Sequence, residues 1–124
     1  MAKKVLIVDD EHNIVTALEY LLQKSGYEVR VAETGDDALA QLDAFRPDLV
    51  LLDVMMPKVS GYEVCQRVRS RPEWQGVKIV MLSAKGREVE VSKGMSLGAD
   101  LYVTKPFSNT ELVATIGRLL SGAA

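Results

Sequence analysis

Three aspartates, a serine and a lysine stand where short apolar runs end: Asp9 and Asp10 after 5–8, Asp53 after 49–52, Ser83 after 77–82 and Lys105 after 101–104. If those ends meet, three carboxylates share one place and repel one another unless a cation or a lysine offsets their charge. A hard divalent ion suits such a set. Mg²⁺ takes about six oxygen ligands and keeps several waters, so a few carboxylates with a backbone carbonyl suit it better than an all-protein cage. The single histidine and single cysteine form no competing zinc cluster. A carboxylate beside Mg²⁺ can attack phosphorus while the metal and a cationic side chain stabilise the transferring oxygens. In that chemistry Asp53 is the candidate nucleophile, Asp9 and Asp10 hold the metal, Lys105 pairs with a phosphoryl oxygen and Ser83 hydrogen-bonds another.

Such convergence requires particular elements. Runs rich in Val, Ile and Leu recur at 5–8, 27–31, 49–52, 77–82 and 101–104, each followed by a longer segment of helical period, so a βα unit repeats five times. Ile14, Leu18, Leu21 and Leu22 mark the first helical face, and Gly26 suits the left-handed turn that ends it. Leu39 with Leu42, Val64 with Val68, Val91 with Met95, and Leu112 with Ile116 and Leu119 mark four more. This alternation predicts a doubly wound α/β fold with a parallel sheet between helices. The runs 5–8 and 49–52 are unbroken, as in central strands, whereas 27–31 alternates like an edge. The flavodoxin-like order 2-1-3-4-5 satisfies both, and it gathers the carboxyl ends of strands one, three, four and five around one crevice.

Bulk properties exclude several classes. A chain of 124 residues, 48% apolar and 26% charged, is sized for one domain spanning 1–124, with no output domain expected in it. The net charge of -2 and scattered Lys and Arg give no basic stripe, so direct nucleic-acid binding is not expected. No apolar run approaches the roughly 20 residues of a membrane span. Cys65 has no disulfide partner and no cleavable signal is evident, so a cytoplasmic location is expected.

Each reactive residue also has a plainer reading. Asp9 and Asp10 could cap the first helix, Asp53 and Ser83 could be loop or cap residues, and Lys105 a solvated charge beside a turn proline. Their joint position at strand ends favours a site. His12 reads as a solvent-exposed residue on a first helical turn, Cys65 as a small core residue, and Met55-Met56-Pro57 as a loop folding back over the crevice. Trp74 lies in a polar loop and has no evident role.

Val8-Asp9-Asp10-Glu11, the stretch 47–53 with Met56-Pro57 and Gly61, Ser83-Ala84, Gly98-Ala99-Asp100 and Lys105-Pro106-Phe107 together resemble the receiver domains of two-component response regulators, of the chemotaxis type. The resemblance covers essentially the whole chain. It implies a bacterial phosphorelay receiver, with Asp53 as phosphoacceptor and Asp10, Asp53 and the Met55 carbonyl as direct Mg²⁺ ligands, Mn²⁺ being able to substitute. Asp9 would reach the metal through water. Ser83 and Tyr102 match the hydroxyl and aromatic pair that rearrange on phosphorylation. Lys105 matches the phosphate-binding lysine, whose bond to Pro106 is commonly cis in the family.

The resemblance further implies a sensor histidine kinase or phosphotransfer protein as donor, signalling through the fourth helix, fifth strand and fifth helix, and a monomer or phosphorylation-dependent homodimer. The carboxyl-terminal part is similar to the winged-helix transcription-factor branch, but Leu101 and Thr115 replace an acid and a base of its dimer salt bridges. Met55 and Lys85 occupy the positions that influence attacking water, and neither orients water well, so slow autodephosphorylation is expected. Three alternatives remain. A haloacid dehalogenase-like phosphatase would need a second acid where Met55 stands. A flavin-binding protein would need a Ser/Thr/Gly-rich loop where Asp9-Asp10-Glu11 stands. A degenerate receiver acting only as a scaffold would not need the full acidic set.

Overall fold

The computed structural model describes residues 2–56, 59–84 and 88–121. Five strands alternate with five helices: β1 (Lys4–Val8), α1 (His12–Lys24), β2 (Glu28–Ala32), α2 (Gly35–Phe45), β3 (Leu49–Asp53), α3 (Gly61–Ser70), β4 (Lys78–Ser83), α4 (Glu88–Ser96), β5 (Leu101–Thr104) and α5 (Asn109–Ser121). The strands form one parallel sheet in the order β2-β1-β3-β4-β5, as the hydrophobic patterns predict. The unbroken runs are central, and every residue of β3 is buried. The alternating β2 lies at an edge.

Side chains that alternate along each strand divide the core into two layers. Leu6, Val8, Val50, Leu52, Ile79 and Met81 pack with residues of α2 and α3 on one face. Val5, Ile7, Leu49, Leu51, Val80 and Leu82 pack with α1 and α5 on the other. The helix starts follow local chemistry. Thr34 accepts from Asp37 N–H at 3.0 Å, Ser60 from Glu63 N–H at 3.3 Å and Ser108 from Glu111 N–H at 3.2 Å. Gly26 adopts φ +98°, the left-handed turn read from the sequence.

Three packing expectations need correction. The buried stripe of α1 is Val15, Leu18 and Leu22, while Ile14 and Leu21 are only partly covered. On α4 the expected apolar face fails: Met95 is exposed and Val91 half-buried, and Gly94 is the residue turned inward. The reason is close approach, because a Cβ on Gly94 would stand 2.8 Å from Met81 Sδ and 2.9 Å from Tyr102 Cδ2. Trp74 is not in an open polar loop. It sits in a 3₁₀ turn, Pro72–Trp74, and is buried in the α2/α3 layer with the Arg71 guanidinium 4.4 Å from its ring centroid.

Candidate functional site

The carboxyl ends of β1 and β3 bring Asp9, Asp10 and Asp53 together, with one oxygen from each lying within 4.8 Å of the others. Asp9 and Asp53 are buried and Asp10 is exposed, so the cluster opens to solvent on one side. Asp9 accepts the Glu11 N–H at 2.9 Å, and Asp53 Oδ1 accepts the Met55 N–H at 3.1 Å. Each carboxylate is thus oriented by the chain two residues on. The plainer reading of Asp9 and Asp10 as helix caps loses ground: the residue at the N-cap of α1 is Glu11, without a side-chain capping bond.

Lys105 reaches this cluster from the end of β5. Its Nζ donates to Asp9 Oδ2 at 3.2 Å and to Glu11 Oε1 at 2.7 Å, and stands 3.8 Å from Asp53 Oδ1. Its backbone N–H donates to the Ser83 carbonyl at 2.7 Å, and the Lys105–Pro106 bond is cis, as expected. Burial disfavours the ammonium charge, yet the Glu11 hydrogen bond and the charges of Asp53 and Asp9 outweigh it and raise the Lys105 pKa. Burial also pushes the Asp53 carboxyl above its ordinary range. Asp9 and Asp10 add to that rise, and the Met55 N–H and Lys105 oppose it.

Ser83 is the buried last residue of β4. Tyr102 pairs in register with Met81, two residues before Ser83, so the two share one sheet face. Met55 turns its side chain to solvent, whereas Met56 tucks into the core and anchors the loop after β3. Gly61 closes that loop: its N–H donates to Val54 O at 3.1 Å, and a Cβ would meet the Asp53 carbonyl oxygen and Val54 Cα. Pro57 and Lys85 lie outside the described residues. His12 is exposed, and Cys65 is buried with its thiol pushed up to about 11 by burial, consistent with inert packing.

Sequence reasoning gave Glu11 no task, yet it is a main partner of Lys105. The signal was charge: a fourth acid directly follows Asp9 and Asp10 in a place with one lysine. Asp100 also acquires a reason. Its Oδ2 accepts from Ile79 N–H at 2.8 Å and from Arg69 at 2.9 Å, and Arg69 Nε donates to the carbonyl of Gly98, held at φ +109°.

A doubly wound sheet with an acidic triad and a lysine at its carboxyl ends defines a phosphorylation-switched signalling module. The family model of the response regulator receiver domain matches residues 5–117, and the chain belongs to that family. It is 47% identical over 120 residues to the alkaline phosphatase synthesis transcriptional regulatory protein PhoP of Bacillus subtilis (strain 168), covering 97% of this chain and 49% of that protein. It is 44% identical over 123 residues to the phosphate regulon transcriptional regulatory protein PhoB of Rhizobium meliloti (strain 1021), covering 99% of this chain and 54% of that protein. The chain therefore spans about half the length of these curated relatives. Among solved structures, the BeF3-activated receiver domain of DrrB, from Thermotoga maritima, superposes with a TM-score of 0.87 at 38% identity, covering 98% of this chain and 99% of that one. Chemotaxis protein CheY4 of Vibrio cholerae gives 0.89 at 34% identity, covering 96% and 99%. Receiver domains interact with histidine kinases or phosphotransfer proteins. Among the described residues no helix is long and apolar enough to cross a membrane.

Proposed function

We propose that Asp53 is the phosphoacceptor, taking a phosphoryl group from the phosphohistidine of a sensor kinase or phosphotransfer protein in the cytoplasm. The observation that carries this reading is the convergence of Asp9, Asp10 and Asp53 within 4.8 Å around a lysine 3.8 Å from Asp53. In the transfer, an Asp53 oxygen forms the new P–O bond, the P–N bond of the donor breaks, and the departing imidazole keeps the electron pair.

The donor set fits a hard divalent cation. The cluster is three carboxylates, two of them buried, and burial drives Asp53 toward its protonated form unless positive charge offsets it. Asp10, Asp53 and the Met55 carbonyl would hold Mg²⁺, or Mn²⁺ in its place, with Asp9 acting through water. When bound, the ion would stabilise charge on the phosphoryl oxygens. Lys105 would leave Glu11 to pair with one of those oxygens, and Ser83 would hydrogen-bond another. Tyr102, on the same sheet face, would follow Ser83 and alter the α4-β5-α5 surface that partners read. Met55 at the mouth of the site neither donates nor accepts a proton, which supports slow loss of the phosphoryl group by autodephosphorylation. Half-buried Leu101 and a Thr115 that accepts from Arg118 at 2.9 Å support a monomer, or a dimer formed only on phosphorylation without salt bridges at these positions.

Incubation with a small phosphodonor and Mg²⁺, read by intact mass, tests the reading. The parent should gain one alkali-labile phosphoryl group that persists for minutes, and Asp53→Asn should gain none. An unmodified parent would overturn the assignment, and loss of the group within seconds would overturn the slow hydrolysis.

A further inference from the structure

Helix α4 has little apolar anchorage of its own. Across Glu88–Ser96 the buried residue is Gly94, and Val89 and Met95 face solvent. Tyr62 of α3 meets its first turns. The Tyr62 hydroxyl donates to the Glu90 carbonyl at 3.3 Å, and Lys93 Nζ lies 4.4 Å from the Tyr62 ring centroid. The Tyr62 phenol also interacts with that of Tyr102 of β5, and both rings pack against the α2/α3 core layer. Burial, the interaction with Tyr102 and the nearby Glu90 charge push the Tyr62 phenol up to about 12, so it remains a hydrogen-bond donor at any physiological pH.

Tyr62 is also tied to the acidic site. It directly follows Gly61, whose backbone lies so close to β3 that an added Cβ would stand 2.7 Å from Val54 Cα. A shift of the Asp53–Val54 backbone therefore moves the base of Tyr62. In the arrangement where Tyr62 grips α4, Lys105 is turned to Glu11 at 2.7 Å and stands off from Asp53 at 3.8 Å. A phosphoryl group on Asp53 would draw Lys105 away from Glu11, so this arrangement is the one that phosphorylation leaves.

We propose that Tyr62 is a positioning residue whose hydroxyl latches α3 to the first turns of α4, beside Tyr102, and thereby sets how readily the chain leaves its resting arrangement. The latch itself stands on the geometry, and its role in the switch rests on the phosphoacceptor reading above. A group that favours one of two arrangements lowers the apparent affinity of any ligand that selects the other. Removing one hydrogen bond should shift that balance by a factor of about 3 to 10.

Tyr62→Phe deletes the hydroxyl and keeps the ring over which Lys93 lies. Two measurements on this variant decide the proposal. Amide hydrogen exchange should quicken in the first turns of α4 while the β3 and β4 amides stay as protected as in the parent. Calorimetric titration with beryllofluoride and Mg²⁺, a phosphoryl mimic, should show about 3- to 10-fold tighter binding than the parent. Lys93→Met, on the exposed side of α4, should move both readouts the same way by less. Unchanged α4 exchange in Tyr62→Phe would overturn the latch. Faster exchange with unchanged or weaker beryllofluoride binding would overturn its role in the switch. A parent that binds no beryllofluoride would instead sink the phosphoacceptor reading, and the exchange measurement would still decide the latch.

Discussion

In the role proposed for it, Asp53 faces opposed demands. As a buried carboxylate beside Asp9 and Asp10 it is pushed toward the neutral acid, yet a nucleophile or metal ligand must be ionised. Its pKa is raised, so between the ordinary carboxylate value and the raised one the folded chain binds more protons than the unfolded chain. Metal-free stability should therefore fall as pH rises through that window and level off above it. Lys105 acts in another window. Its pKa is raised too, so its contribution is complete below about 10.5 and is lost as pH climbs through the higher folded value. Urea unfolding across pH would separate the two, because Asp53→Asn should flatten the acidic slope and only reduce the alkaline one, where Glu11 and Asp9 still act on Lys105. The convergence of Asp9, Asp10, Asp53 and Lys105 was legible in the sequence because each stands at the end of an apolar run. Glu11 was not, because its task depends on where the Lys105 ammonium turns, which no spacing records.

At the level of elements, strand order followed from hydrophobic pattern, and most helical faces followed to within one position. Helix α4 did not, since the pattern rule assigns inward positions to large apolar residues, and here a glycine lets Met81 and Tyr102 come close. Gly94→Ala should therefore destabilise the fold by about 1–3 kcal/mol of overpacking, less any gain of up to ~1 kcal/mol in helix propensity. Gly76→Ala makes the contrast: a Cβ there meets nothing within 4 Å, and the change should be neutral or stabilising by up to ~1 kcal/mol. Denaturant midpoints at constant m-value would measure both. Trp74 escaped for a related reason. Its flanking residues are polar, and only the tertiary fold shows that the 3₁₀ turn carries the ring under α2 and α3. Truncating it to alanine should cost about 3–5 kcal/mol.

For the whole molecule, a metal ion that binds only the folded chain should stabilise it by mass action. At ten times its dissociation constant the gain is ~1.4 kcal/mol, or a rise of about 5 °C in melting temperature for a domain of this size. Asp10→Asn should remove most of that rise, and it touches only the exposed lip of the cluster. A full-sized rise in Asp10→Asn would mean that the ion binds elsewhere. Trp74, the single tryptophan of the chain, has a further consequence. It sits just before β4 begins, at the end of the sheet opposite the acidic cluster. Its intrinsic fluorescence should report loss of the whole core yet stay blind to metal occupancy and phosphorylation. Optical assays of the switch will need a reporter placed by design near Asp53.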